Sequence, residues 1–177
     1  MNKYTFLKQV ENRVLWLSCW MIHNANHIRE NQDGLKVGGH QASSASIVSI
    51  MTALYFNILK PEDRVAVKPH ASPVFHAIQY LAGLQTKEKI QNFRGFGGAQ
   101  SYPSRTKDVD DVDISTGSVG LGVAMTSFMS LIQDYILKKQ FGKDIPKGRM
   151  IALVGDAELD EGNVYECLQE GWKHDLR

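Results

Sequence analysis

The sequence predicts an α/β fold in which a mostly parallel sheet is flanked by helices, and three observations carry that expectation. Segments of helical period alternate along the chain with short apolar runs. One run, Ile151-Ala152-Leu153-Val154, is continuously apolar, as a parallel strand covered on both faces requires. It passes directly into Gly155-Asp156 and then a helical pattern, the strand–turn–helix order of an open α/β sheet.

Taken in order, Leu7, Val10, Val14, Leu17, Met21 and Ile28 predict a long amphipathic helix from residue 3 to about 30. Asn31 to Gly39 ends it, and Ile47, Ile50, Met51, Leu54 and Ile58 predict a second helix. The turn Pro61-Glu62-Asp63 leads into an alternating strand at 64–68. Ser72 and Pro73 read as N-cap and first position of a third helix bearing Val74, Ala77, Ile78 and Leu81. A long irregular stretch, Arg94 to Gly120, is rich in Gly, Ser and Asp, and loops of that length are usually functional. Leu121, Ala124, Met125, Phe128, Ile132 and Tyr135 predict a fourth helix, and Val164, Cys167, Leu168 and Trp172 the last, after the strand at 150–154. A helix after a parallel strand normally returns the chain to another strand, and none follows before Arg177. The chain is therefore expected to be a piece of a longer protein, its sheet incomplete at the C-terminus.

Composition narrows the partners. Among 177 residues, 43% are hydrophobic and 22% charged, and the net charge of +1 offers no basic field for nucleic acid. Lys3, Lys8, Glu11 and Arg13 interrupt the N-terminus before any span or signal peptide could form, so no membrane partner is expected. Cys19 and Cys167 have no ligand spacing and read as buried thiols of a reducing compartment, the cytoplasm by default.

Chemistry concentrates in a few loops. Asp156, just past a strand end, is placed where open sheets bind ligands; a lone carboxylate there suits a divalent cation neutralised by phosphate oxygens. The competing reading is a turn Asp that satisfies nearby backbone amides. In Gly34–Ser46 two adjacent glycines imply a close backbone approach, with His40 at a helix entrance. Lys68-Pro69-His70-Ala71-Ser72-Pro73 sets a second histidine at another. Ser115–Gly122, STGSVGLG, is a glycine-rich turn into a helix but not the dinucleotide fingerprint, so it reads either as a ligand contact or as tight helix packing. His23 and His27 share a helix face without a third metal ligand. Asp108, Asp110, Asp111 and Asp113 read as a solvated loop, and Trp16 and Trp20 as core or subunit contacts.

Taken together in order, GGHQAS, KPHASP, QSYPS, STGSVGLG and GDAELDEGN resemble the thiamine diphosphate-binding N-terminal domain of the transketolase superfamily. The HASP, QSYP and DAELDE stretches are most similar to the homodimeric pyruvate dehydrogenase component and its transketolase-like relatives. The resemblance implies a thiamine diphosphate-binding fold over 1–177 as the N-terminal part of the diphosphate-binding domain, with thiamine diphosphate and magnesium as cofactors. It implies Asp156 as magnesium ligand, and His70, Gly117, Ser118, Val119, Gly120, Gly155, Asp156 and Ala157 as cofactor contacts. His40 would face substrate, and Glu161 would lie at a homodimer interface linking two active sites; with His70 these form the implied catalytic set. The implied reaction cleaves a carbon–carbon bond next to a carbonyl, with pyruvate-type 2-oxo acid decarboxylation ahead of ketol transfer between sugar phosphates. A non-enzymatic module that kept the fold is the other class. The isolated 177 residues are expected to be inactive, because a second metal-site asparagine and the pyrimidine-binding domain would fall beyond Arg177. Ala157 replaces a glycine of many relatives, Ser104 a histidine and His76 a tyrosine.

Overall fold

The structure, a computed structural model, describes residues 2–30, 34–142 and 144–176. It forms two compact units, Met1–Leu59 with Pro69–Val112 and Lys60–Lys68 with Asp113–Arg177.

The first unit is helical. Helix α1, Lys3–His23, is capped by Asn2, whose side chain accepts from the Thr5 amide at 2.8 Å. It widens into a π turn over Asn24–Ile28, so the predicted helix to about residue 30 is real but changes pitch at its end. The predicted second helix is present as α3, Val48–Ala53, which widens into a π turn over Leu54–Ile58, and an additional short helix, α2 at Gln41–Ala45, precedes it with a break at Ile47. Helix α4, Ser72–Leu81, is buried at every position from Ser72 to Gln79 and is the centre of this unit. Its N-cap is Ala71 rather than Ser72, with Pro73 in the first turn as expected. Val14 and Ile22 of α1, Met51 of α3 and Val74, Phe75 and Ile78 of α4 are among its most buried side chains, and α1 packs on α4. A five-residue helix, α5 at Lys87–Gln91, is too short for a periodic signal; Thr86 caps it, and Ile90 packs with Met21, Phe93 and Ala99.

The second unit holds the sheet. Strand β1, Arg64–Ala66, pairs in parallel with β2, Met150–Ala152, in the register Arg64↔Met150, Val65↔Ile151, Ala66↔Ala152. The Leu153 amide donates to the Ala66 carbonyl at 2.9 Å, which carries the ladder one bond past the strand. Helix α6, Leu121–Lys138, packs on both strands, and α7, Gly162–Lys173, on α6. Asp63 fixes the start of the sheet, accepting from the amides of Lys60 and Arg149 at 2.9 and 2.8 Å and from the Arg149 guanidinium. Hydrogen bonding to that guanidinium holds the Asp63 carboxyl far below the usual carboxylate range.

Four expectations fail on burial, three of them in this unit. Residues 150–154 are half-buried rather than covered on both faces, since among the described residues β1 is the single strand beside β2. The apolar stripe that predicts α6 is largely its exposed face: Phe128, Ile132 and Tyr135 face solvent, while Val123, Thr126 and Ser130 are inside. In α7 Val164 is buried, but Leu168 and Trp172 are exposed. Cys19 and Cys167 are free and half-buried rather than buried. No helix among the described residues is long and apolar enough to cross a membrane.

Candidate functional site

Parallel pairing releases β1 and β2 at the same edge of the sheet, and the second unit gathers its polar residues there. β1 leads to Lys68, and β2 leads through Leu153-Val154 to Gly155-Asp156. A Cβ placed on Gly155 would lie 3.8 Å from Lys68 Nζ and 3.4 Å from Glu158 Oε2. Among the described residues Lys68, a half-buried residue, makes no ion pair, and its ammonium lies beside this turn.

Asp156 precedes a single 3-10 turn, Ala157–Asp160, yet its side chain makes no capping bond. Its carboxylate is exposed and has no hydrogen bond among the described residues. The amide-satisfying role that competes with metal ligation belongs to Glu158 instead. That buried side chain accepts from the Gly155 amide at 2.6 Å and from the Gly120 amide at 3.3 Å. Ala157 is not among the residues of positive φ, so the methyl that replaces a glycine is accommodated without backbone strain.

The glycine turn meets this edge through Gly120, which sits at φ 80° as the N-cap of α6. A side chain there would be strained by φ and would meet Asn163 Oδ1 at 2.5 Å. Asn163 Oδ1 and Thr116 Oγ1, next to Gly117, are buried without a hydrogen-bond partner among the described residues. A free carboxylate, a nearby ammonium and unpaired polar atoms beside a glycine turn fit an anionic, hydrogen-bonding ligand that carries a divalent cation. Ser118 and Val119 are exposed on the same turn; Glu161 is exposed at the N-cap of α7, its side chain free of any cap bond.

His40 and His70 belong to the first unit. Both are exposed and neither imidazole hydrogen-bonds among the described residues. His40 precedes α2, which is a five-residue helix, and His70 lies in the 3-10 turn Pro69–Ala71. The close approach made by the paired glycines is to protein: a Cβ on Gly38 would stand 2.4 Å from the Ile22 carbonyl, and Asn26 Oδ1 accepts from the Gly38 amide at 2.7 Å. Arg94, a residue the sequence did not single out, donates Nη1 to the Val37 carbonyl at 2.8 Å and closes the same loop. Burial pushes the Arg94 pKa down.

Of the acidic run only Asp111 is exposed as a solvated loop requires; the other three are bonded into the fold. Asp110 is buried and its Oδ2 lies 2.7 Å from His76 Nδ1, while Gln85 donates to its other oxygen. Asp108 accepts from the amides of Gln100 and Ser104 at 2.9 and 2.8 Å, and Asp113 from the Val65 amide at 2.9 Å. His76 Nε2 donates to the Gln100 carbonyl at 2.9 Å. Ligand atoms of His76, Asp108 and Asp110 lie within 4.8 Å of one another, but all are already engaged, which makes the triad a buried hydrogen-bond network. It is the one such cluster among the described residues, and His23 and His27, exposed with rings 5.0 Å apart, have no third ligand. Trp16 is exposed rather than core, stacked on Trp20.

The free carboxylate, the glycine turn and the ammonium lie at the carboxyl edge of a parallel α/β unit, where open α/β sheets take ligands. Residues 36–172 match the family described as transketolase, thiamine diphosphate binding domain, and the chain belongs to that family. It is 30% identical over 141 residues to a transketolase-like protein 2 of Mus musculus, covering 73% of this chain and 21% of that protein. It is 27% identical over 167 residues to a pyruvate dehydrogenase E1 component of Mycolicibacterium smegmatis, covering 88% and 17%. A transketolase of Homo sapiens is 28% identical over 141 residues, covering 73% and 21%. The chain thus spans about a fifth of the length of the curated relatives it matches.

Proposed function

We propose that the chain binds thiamine diphosphate with magnesium and serves an enzyme that cleaves a carbon–carbon bond next to a carbonyl, with a 2-oxo acid such as pyruvate as substrate. The observation that carries this reading is the division of labour at the strand edge: Glu158 satisfies the Gly155 amide and leaves the Asp156 carboxylate free to hold a cation. Asp156 would ligate magnesium, and the backbone of Gly117, Ser118, Val119, Gly120, Gly155 and Ala157 would line the cofactor. Lys68 would offset the remaining negative charge. His70 would lie against the diphosphate, His40 would face the substrate carbonyl, and Glu161 would meet a second copy in a homodimer. Once bound, the cofactor supplies a nucleophilic carbon and an electron sink; the chain's own part is to hold, orient and polarise. Residues 1–177 would form the N-terminal part of the diphosphate-binding domain.

The 2-oxo acid is favoured by Gln100-Ser101-Tyr102-Pro103 and by Glu158–Glu161, and by the lack of an Arg and Lys cluster in these loops for a sugar phosphate. Ketol transfer between sugar phosphates is the second reading, favoured by the 30% identity to the transketolase-like relative.

Calorimetric titration tests the proposal. In the full-length protein, wild type should bind thiamine diphosphate only with magnesium present, and Asp156→Asn should weaken that binding by at least tenfold with an unchanged melting temperature. Magnesium-independent binding, or a large loss of stability with unchanged affinity, would return Asp156 to a turn role. Pyruvate decarboxylation against ketol transfer from xylulose 5-phosphate, assayed on the full-length protein, decides between the substrates.

A further inference from the structure

Glu158 satisfies the Gly155 amide, but its second oxygen has no part in the reading above, and it is the carboxylate most deeply set into the sheet edge. It is 8% exposed, while its neighbours Asp156, Leu159, Asp160 and Glu161 are all exposed. A carboxylate is costly to bury unless its oxygens are hydrogen-bonded. Here each oxygen takes a different backbone amide. Oε2 folds back to the Gly155 amide at 2.6 Å while the Glu158 amide donates to the Gly155 carbonyl at 3.2 Å, a reciprocal closure of four residues like the acidic half of a capping box. Oε1 reaches the Gly120 amide at 3.3 Å, 38 residues away in sequence and at the positive end of the 18-residue helix α6.

We propose that Glu158 is a positioning residue, a carboxylate clasp that sets the glycine turn at 117–122 and the Gly155-Asp156 turn at fixed separation for the cofactor. The inference rests on the reading that these two turns hold thiamine diphosphate, and the clasp itself stands in the free chain. Three features make the clasp specific to a carboxylate. Two amides from different elements need two acceptors on one side chain. Glutamine offers one acceptor and would turn an N–H toward the other amide. Aspartate is shorter by one methylene and cannot span both. With its own carboxylate spent on backbone, Glu158 also spares Asp156 from local capping, which explains why two acids two residues apart behave differently.

The test reads the free chain first. In amide hydrogen exchange of the wild type, Gly155 and Gly120 should both be protected, Gly155 at least tenfold beyond the neighbouring loop amides; fast exchange at Gly155 overturns the clasp without any variant. In Glu158→Gln one of the two glycine amides should shift upfield and lose about tenfold of its protection, whereas Glu158→Asp should release at least one of them while keeping the charge. Thiamine diphosphate affinity measured on the full-length protein should fall about tenfold in Glu158→Gln, with a much smaller effect on the affinity for magnesium alone. Equal loss of protection throughout the second unit, with affinity falling only in step with stability, would make Glu158 a folding residue and overturn the proposal. Full-length wild type that protects both amides yet binds no thiamine diphosphate would retire the cofactor reading and leave the clasp as a bare structural bridge without the role assigned to it.

Discussion

Single residues divide here into those whose role follows from local chemistry and those that depend on a distant partner. Asp63 is of the second kind. Its side chain is 2% exposed and is fixed by Arg149, 86 residues on, through both backbone and guanidinium. Because the folded carboxyl is held below its unfolded value, the stabilisation is complete at neutral pH. It is lost as pH falls from about 4, the ordinary aspartate range, toward the folded value. Asp63→Asn should therefore lower the melting temperature at pH 7 by roughly 5–10 °C, with the gap to wild type closing below about pH 4 in thermal melts. At this scale the sequence exposes Asp156, because a Gly-Asp pair after an apolar run has a strong positional meaning. It conceals Glu158 behind an ordinary acidic helix start, although an acid three residues after the strand-end glycine is a capping-box signal.

Among elements, the periodic ones are the legible ones. α1, α4 and α6 follow from apolar spacing, β1 from alternation and β2 from a short apolar run, while α5 and the break at Ile47 fall below the length at which a period can be seen. The stretch 94–120 reads as irregular and is so, but its acidic residues form the hydrogen bonds that hold it, a long-range pairing that composition cannot show. His76 is the link: it stands on α4 and ties Gln100 and Asp110 of the loop to that helix. With Nε2 donating to a carbonyl, the 2.7 Å contact from Nδ1 to Asp110 needs a second proton on ring or carboxyl, so the pair is a buried, proton-bridged unit. His76→Phe would leave Asp110 buried with Gln85 alone. It should destabilise the chain by about 3–5 kcal/mol in urea melts and open residues 100–110 to limited proteolysis. His76→Phe combined with Asp110→Leu should recover part of the loss, since the buried charge goes with its partner.

On the scale of the whole molecule, the α/β class with a parallel sheet was readable from the order of elements, but the inside of the second unit was not. Periodicity locates a helix face; it does not say whether that face meets protein in the structure at hand. Phe128, Ile132 and Tyr135 on α6 and Leu168 and Trp172 on α7 are 56% to 85% exposed. Beside α6 lies an apolar cavity of about 480 Å³ lined by Pro61, Met129, Ile132, Ile136, Ile145 and Met150. Apolar surface of this extent favours association. Sedimentation of the 177-residue chain should show a weight-average mass that rises with concentration, and Phe128→Glu with Trp172→Glu should suppress the rise; a concentration-independent monomer would count against it.

The sheet also has a consequence in time. β1 and β2 bring together residues as far apart as Asp63 and Arg149, so that one short ladder closes a loop of 86 positions, nearly half the chain. Closing such a loop costs chain entropy before any strand contact repays it, whereas α1 and α4 can gain their first turns from near neighbours. The strand edge that carries Gly155, Asp156 and Glu158 is therefore among the last features of the molecule to form, and anything that binds there selects for chains that have finished folding.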